Sequence, residues 1–183
     1  MQDCWIKNFQ NLDNMLKYVG TQLGFREFPN EVTLLINISN CPNNCAGCHS
    51  SYLAQDIGEV LDENSLKSLI EEYNGITCVG FMGGDNDHLT LAKLFKYVKQ
   101  EFGLNVGWYS GKEYKVEEVD NIYSIYNIPN QHYIDFLKIG PYKQECGPLD
   151  SKTTNQMYFH NTGLSSNPSI MIGENETGLF WKK

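Results

Sequence analysis

The sequence predicts an α/β fold built on a parallel sheet, and three observations carry the prediction. Strand-like runs of continuous apolar, β-branched residues alternate with segments of helical period. Each strand-like run ends in a small-residue turn, and the order strand, helix, strand, helix, strand, helix, strand calls for right-handed crossovers. No Pro/Gly/Ser linker or shift of composition divides the 183 residues, so they read as one domain.

Leu12, Met15, Leu16, Val19 and Leu23 repeat at helical spacing and predict an amphipathic helix closed by Gly24. Val32 to Ile38 is β-branched and nearly continuous in apolar character, as in a strand buried on both faces. It runs into Cys41-Pro42-Asn43-Asn44-Cys45-Ala46-Gly47-Cys48-His49. Asp62 is placed to cap a helix with Leu66, Leu69, Ile70 and Tyr73 on its apolar face, ended by Asn74-Gly75. Ile76 to Met82 reads as a second strand that stops at Gly83-Gly84-Asp85. Leu91, Leu94, Phe95, Val98 and Phe102 mark a helix stopped by Gly103, and Leu104 to Tyr109 a third strand leading to Ser110-Gly111. Val116 to Tyr126 is expected to be helical, and Ile134 to Ile139 forms a fourth strand before Gly140-Pro141. In parallel α/β folds ligands gather at the carboxyl ends of the strands, so all four turns fall on one candidate edge.

Composition excludes several classes. The net charge is −8, from 14 Lys+Arg against 22 Asp+Glu, which leaves no electrostatic footprint for nucleic acid. No apolar stretch has the length of a membrane span, and the first residues lack the basic segment and apolar core of a secretory signal. A cytoplasmic protein without nucleic-acid or membrane partners is therefore expected. Six cysteines in a non-secreted chain point to metal rather than to disulfides.

Cys41, Cys45 and Cys48 stand at C-x3-C-x2-C spacing, and three thiolates within eight residues can turn onto one centre. A structural zinc site wants four closed ligands, usually as paired C-x2-C units. Here the neighbouring fourth ligand is His49, while Cys78 or His88 would have to reach in from a distance. A non-catalytic zinc-binding interaction module is thus one alternative. The other is a four-iron cluster with one open iron, able to take a substrate or cofactor as a catalytic metal does. Cys4, Cys78 and Cys146 share no site-like spacing and read as small buried hydrophobes. His88 and His132 read as solvated or capping groups, and no side chain is assigned as a general acid or base.

The C-x3-C-x2-C loop after the first strand and Gly83-Gly84-Asp85 after the second together resemble the radical S-adenosylmethionine (SAM) superfamily. The resemblance implies an incomplete (β/α) barrel of mainly parallel strands with outer helices. Within it, residues 1–31 would be an N-terminal helical extension, 32–160 the core with the cluster and SAM site, and 161–183 a C-terminal tail. It implies a [4Fe-4S] cluster on Cys41, Cys45 and Cys48, with S-adenosyl-L-methionine held near Gly47, Cys48, His49, Gly83, Gly84, Asp85 and Ser110. Asp85 would accept from the amine of SAM.

Gly47 before the third cysteine, where many members carry an aromatic residue, resembles the activating proteins of anaerobic ribonucleoside-triphosphate reductases. So do Tyr109-Ser110-Gly111, the stretch Asp135, Gly140 and Tyr142, and the pair Asn155-Gln156. Asn86, Lys112, Ile139 and Ser151-Lys152-Thr153 depart from that pattern. The resemblance implies a glycyl-radical activase whose substrate is the reductase and whose electron donor is of flavodoxin or ferredoxin type. A radical SAM enzyme acting on another glycyl-radical enzyme or a peptide is the related alternative.

Overall fold

The computed structural model describes residues 15–115, 118, 133–161 and 174–181. Their strands are β1 (Lys17–Gly24), β2 (Thr33–Ile38), β3 (Glu59–Val60), β4 (Cys78–Met82), β5 (Asn105–Tyr109), β6 (Phe136–Ile139), β7 (Met157–His160) and β8 (Glu174–Asn175). They form one eight-stranded sheet in the order β3-β1-β2-β4-β5-β6-β7-β8. β2, β4, β5 and β6 are parallel neighbours, and the outer pairings on both sides are antiparallel. The architecture is α/β, with a parallel centre and antiparallel wings where a mainly parallel sheet was expected.

Two helices, α1 (Glu63–Glu72) and α2 (His88–Tyr97), pack on one face. α1 begins as the sequence predicts. Asp62 accepts from the Ser65 amide at 2.9 Å and its own amide donates to the Ser65 hydroxyl at 2.9 Å, a reciprocal cap that supplies two amides the first turn leaves unpaired. α2 is capped by Asp87, runs on through a π-helical turn (Val98–Phe102) and stops at Gly103. Leu66, Leu69 and Ile70 of α1 and Leu91, Leu94 and Phe95 of α2 cover alternate residues of the central strands, among them Leu34, Ile36, Val79, Phe81, Val106 and Trp108.

The opposite face is aromatic. Phe28, fully buried, lies with Leu35, Cys78, Phe136 and Tyr158. Leu35, Gly80, Gly107 and Phe136 are register neighbours across β2, β4, β5 and β6. A Cβ on either Gly80 or Gly107 would collide with the Phe28 ring, so the two glycines make the slot that Phe28 fills.

The predicted N-terminal helix is overturned: residues 17 to 24 are β1. As a strand, this segment gives the outer edge of β2 an antiparallel partner from Tyr18↔Ile38 to Gly24↔Thr33, satisfying backbone groups a helix would leave open. The helical spacing of Val19 and Leu23 misled because both are exposed, at 38% and 43%, while Leu16 alone of that run's described part is deeply buried. The predicted helix from Val116 to Tyr126 falls almost wholly outside the described residues, as do Cys4 and His132. Among the described residues no helix is long and apolar enough to cross a membrane.

Candidate metal centre

β2, β4, β5 and β6 end at one edge, and each parallel register carries its following turn there. The loop after β2 begins with Ser39 and Asn40 and is pinned at its start, where the Asn40 amide donates to Gln55 O at 3.0 Å and the Cys41 amide to Leu53 O at 2.9 Å. The Cys48 amide donates to Cys45 O at 3.2 Å, which folds the second half of the loop back on itself. Cys41, Cys45 and Cys48 are each half-buried, and all three line a cavity of about 290 Å³. Ile38 and Leu53 supply an apolar wall, and Met82 with Gly83 closes the side toward β4. The cysteine loop and the start of the Gly-Gly-Asp turn thus line one cavity.

Gly83 and Gly84 have φ of 116° and 93°, values that L side chains rarely adopt. A Cβ at Gly83 would also stand 3.1 Å from Ile38 O. Asp85, which this turn delivers, is only 4% exposed. Its Oδ1 accepts from the Ser110 hydroxyl at 2.6 Å, and its Oδ2 accepts from the Gly111 amide and from Asn43 Nδ2, each at 2.8 Å. One carboxylate thus ties together the cysteine loop, the turn after β4 and the turn after β5. Asn43 Nδ2 also reaches Cys41 Sγ at 3.7 Å. A carboxylate has about four acceptor positions, and three are taken here. Ser110 is 1% exposed, and its hydroxyl also accepts from the Lys112 amide at 3.1 Å. Asp85 and Ser110 are thereby scaffold first, a duty the sequence reading did not give them.

The turn after β6 adds further ties. Gly140 O accepts from Gln156 Nε2 at 3.3 Å and Pro141 O from Asn155 Nδ2 at 3.0 Å, so the Asn-Gln pair holds this turn. Tyr142 meets the exposed ring of His49 edge-on, with centroids 5.9 Å apart, and lies against Gly47. Asp135, by contrast, sits at the other end of β6, where it pairs with Lys99 at 2.6 Å and accepts from the Val106 amide.

The remote zinc ligands considered from sequence are directed elsewhere. Cys78 is the first residue of β4 and Met82 the last, about 13 Å apart at the rise of a strand. Cys78 is fully buried away from the site, and burial pushes its thiol pKa far up. The His88 ring stands edge-on to Trp108 at 5.5 Å, and its Nε2 faces Lys112 Nζ at 2.7 Å. Burial, then the Lys112 charge, push the His88 pKa below the usual range.

Lys138 escaped the sequence reading. It is 8% exposed on β6 and its ammonium donates to Gly140 O at 2.7 Å, so a lysine inside an apolar strand was the available signal. Asn43 gave no such signal, because its partner Asp85 is 42 residues away.

The donor set can be tested against the group it would hold. Among the described residues no three His, Cys, Asp or Glu side chains converge on a point that would hold a single ion. A four-iron cluster takes its ligands at separate corners, so three thiols spread around one cavity suit it. Soft thiolates are the expected donors for iron–sulfur clusters.

Three thiols lining one cavity at the carboxyl edge of the sheet thus fit an iron–sulfur cluster. The chain belongs to the 4Fe-4S single cluster domain family, whose model matches residues 29–157. No curated protein matches the chain, and no solved structure does.

Proposed function

We propose that this protein is a radical SAM enzyme, and more narrowly the glycyl-radical activase of an anaerobic ribonucleoside-triphosphate reductase. The observation that carries the reading is the shared cavity of Cys41, Cys45, Cys48 and Gly83: the cluster motif and the Gly-Gly-Asp turn meet, and a fourth thiol is not among its lining residues. When bound there, a [4Fe-4S] cluster with one open iron would supply the electron that cleaves S-adenosylmethionine to a 5′-deoxyadenosyl radical, the species that takes a hydrogen from a glycine.

The chain's own residues would bind and orient. Cys41, Cys45 and Cys48 would be the ligands. Main-chain groups of Gly83 and Gly84 can approach a ligand amine closely because no Cβ intervenes. The remaining acceptor position of Asp85 would be the one to accept from an ammonium. Gly47 and His49 would border the adenine, with Tyr142 steadying His49. Ile38 and Leu53 would exclude water from the cavity. No side-chain acid or base enters this account.

The reductase as substrate rests on resemblance at Gly47, at Tyr109-Ser110-Gly111 and at Asn155-Gln156. The sheet with its parallel centre and helices on one face is compatible with the incomplete barrel of that class. A flavodoxin- or ferredoxin-type donor and a cytoplasmic setting belong to the same reading. The test is anaerobic reconstitution with iron and sulfide, then reductant and SAM, then a candidate reductase. Formation of 5′-deoxyadenosine followed by the doublet of a glycyl radical in electron paramagnetic resonance is the expected result. Cleavage of SAM with no doublet would move the substrate to another glycyl-radical enzyme or a peptide. Uptake of zinc without cleavage would overturn the class.

A further inference from the structure

Lys138 is a charged residue in a strand whose other residues, Phe136, Leu137 and Ile139, are buried and apolar. Asn37, Met82, Tyr109 and Lys138 are register neighbours across β2, β4, β5 and β6, so they form the row beneath the site turns on the aromatic face. Met82 of that row already lines the cysteine cavity.

The surroundings of the ammonium are unusual. It donates to Gly140 O and lies 5.8 Å from the centroid of the Tyr109 ring. Among the described residues no carboxylate stands within ion-pair distance of it. The hydrogen bond does not explain a lysine here, because Gln156 Nε2 also donates to Gly140 O. An apolar side chain would fill the same row without the cost of burying a charge. That cost is visible: burial pushes the Lys138 pKa down to about 8. Negative charge on Asp85, Cys45, Cys48 and Cys41 acts the other way and favours the ammonium. Three of those four groups are the thiols of the cavity.

We propose that Lys138 is the internal counter-charge of the cluster, a positioning residue that raises its reduction potential by stabilising the more negative, reduced state. This rests on the reading that Cys41, Cys45 and Cys48 hold a four-iron cluster. Reduction adds one electron from an external low-potential donor and makes or breaks no bond. With three thiolates the net charge of the site passes from about −1 to about −2, so a fixed cation favours the product. Lys138 stands two strand spacings, roughly 10 Å, from Met82 of the cavity wall, and unit charges at that separation and an effective dielectric of about 20 shift a one-electron equilibrium on the order of tenfold, which is ~59 mV.

The experiment compares the reconstituted full chain with Lys138→Met, Lys138→Gln and Lys138→Arg. Iron is counted per chain, and the midpoint potential is read by dithionite titration of the visible absorption. Lys138→Met and Lys138→Gln are expected to lower the potential by ~59 mV. Lys138→Arg, which keeps the charge, should stay near wild type. Equal potentials in wild type and in whichever uncharged variant loads iron would overturn the counter-charge and leave the cluster reading intact. A wild-type chain that takes up no iron–sulfur cluster would overturn both. If neither uncharged variant loads iron, Lys138→Arg decides: loading at the wild-type potential supports the charge, and failure to load overturns it.

Discussion

The cysteine loop and the Asp85 turn lie side by side and are built in opposite ways. Cys41, Cys45 and Cys48 are half-buried, and their loop is held mainly by backbone hydrogen bonds from Asn40, Cys41 and Cys48. Asp85 is buried, and its two oxygens accept from three donors on two other segments. The contrast separates two tasks. The loop commits its sulfurs to little beyond the long contact of Asn43 Nδ2 with Cys41 Sγ, while the carboxylate beside it fixes where the loops stand. A substitution in the first should remove binding without much loss of stability, and one in the second should remove stability.

The largest effect is expected at the thiols. Cys45→Ala should lose nearly all the broad iron–sulfur absorption near ~400 nm after reconstitution, whereas the apo protein should unfold within ~0.5 kcal/mol of wild type in urea. A large stability loss in the apo variant would break the division of tasks. Asp85→Ala comes next. It strands the donors of Asn43, Ser110 and Gly111, each costing about 1–3 kcal/mol when buried, and water reaching Asn43 brings the expected total to ~3 kcal/mol of apo stability. Asp85→Asn should cost less because it keeps one acceptor oxygen.

Gly107→Ala acts outside both regions. The new methyl meets the Phe28 ring, and overpacking of this kind costs about 1–3 kcal/mol. Iron bound per folded chain should not change. The smallest effect is a pH dependence at His88. Its pKa is held below that of the unfolded chain, so the unfolded state binds the proton first as pH falls. The stability this contributes is full above about pH 6.5 and is lost on acidification through the folded-state pKa. His88→Gln should flatten the acid limb of a stability-against-pH curve, and an unchanged limb would contradict the His88 environment described here.

Much of this was legible in the sequence where the signal is local. The strands after Val32, Ile76, Leu104 and Ile134 start within two residues of their predicted positions and end on the predicted residues, because each is an apolar run stopped by small residues. Asp62 was legible as a cap because its partner Ser65 is three residues on. The failures are nonlocal. Residues 17 to 24 carry a helical period, yet they pair with an open strand edge that only the assembled sheet presents. The same holds at the site: the spacing of three cysteines marks the loop, but Asp85 and Ser110 are 25 residues apart and meet only through the parallel register of β4 and β5. Lys138 is carried to the same edge by the same route, one strand further on, as the register neighbour of Tyr109.

In the proposed function Cys41, Cys45 and Cys48 hold a four-iron cluster whose open iron takes SAM. Electron paramagnetic resonance of the reconstituted, dithionite-reduced protein, recorded before and after SAM is added, tests it most directly. About four irons per chain and a reduced-cluster signal whose shape changes on adding SAM are expected. A signal unmoved by SAM, or a chain that holds zinc and gives no signal, would contradict it.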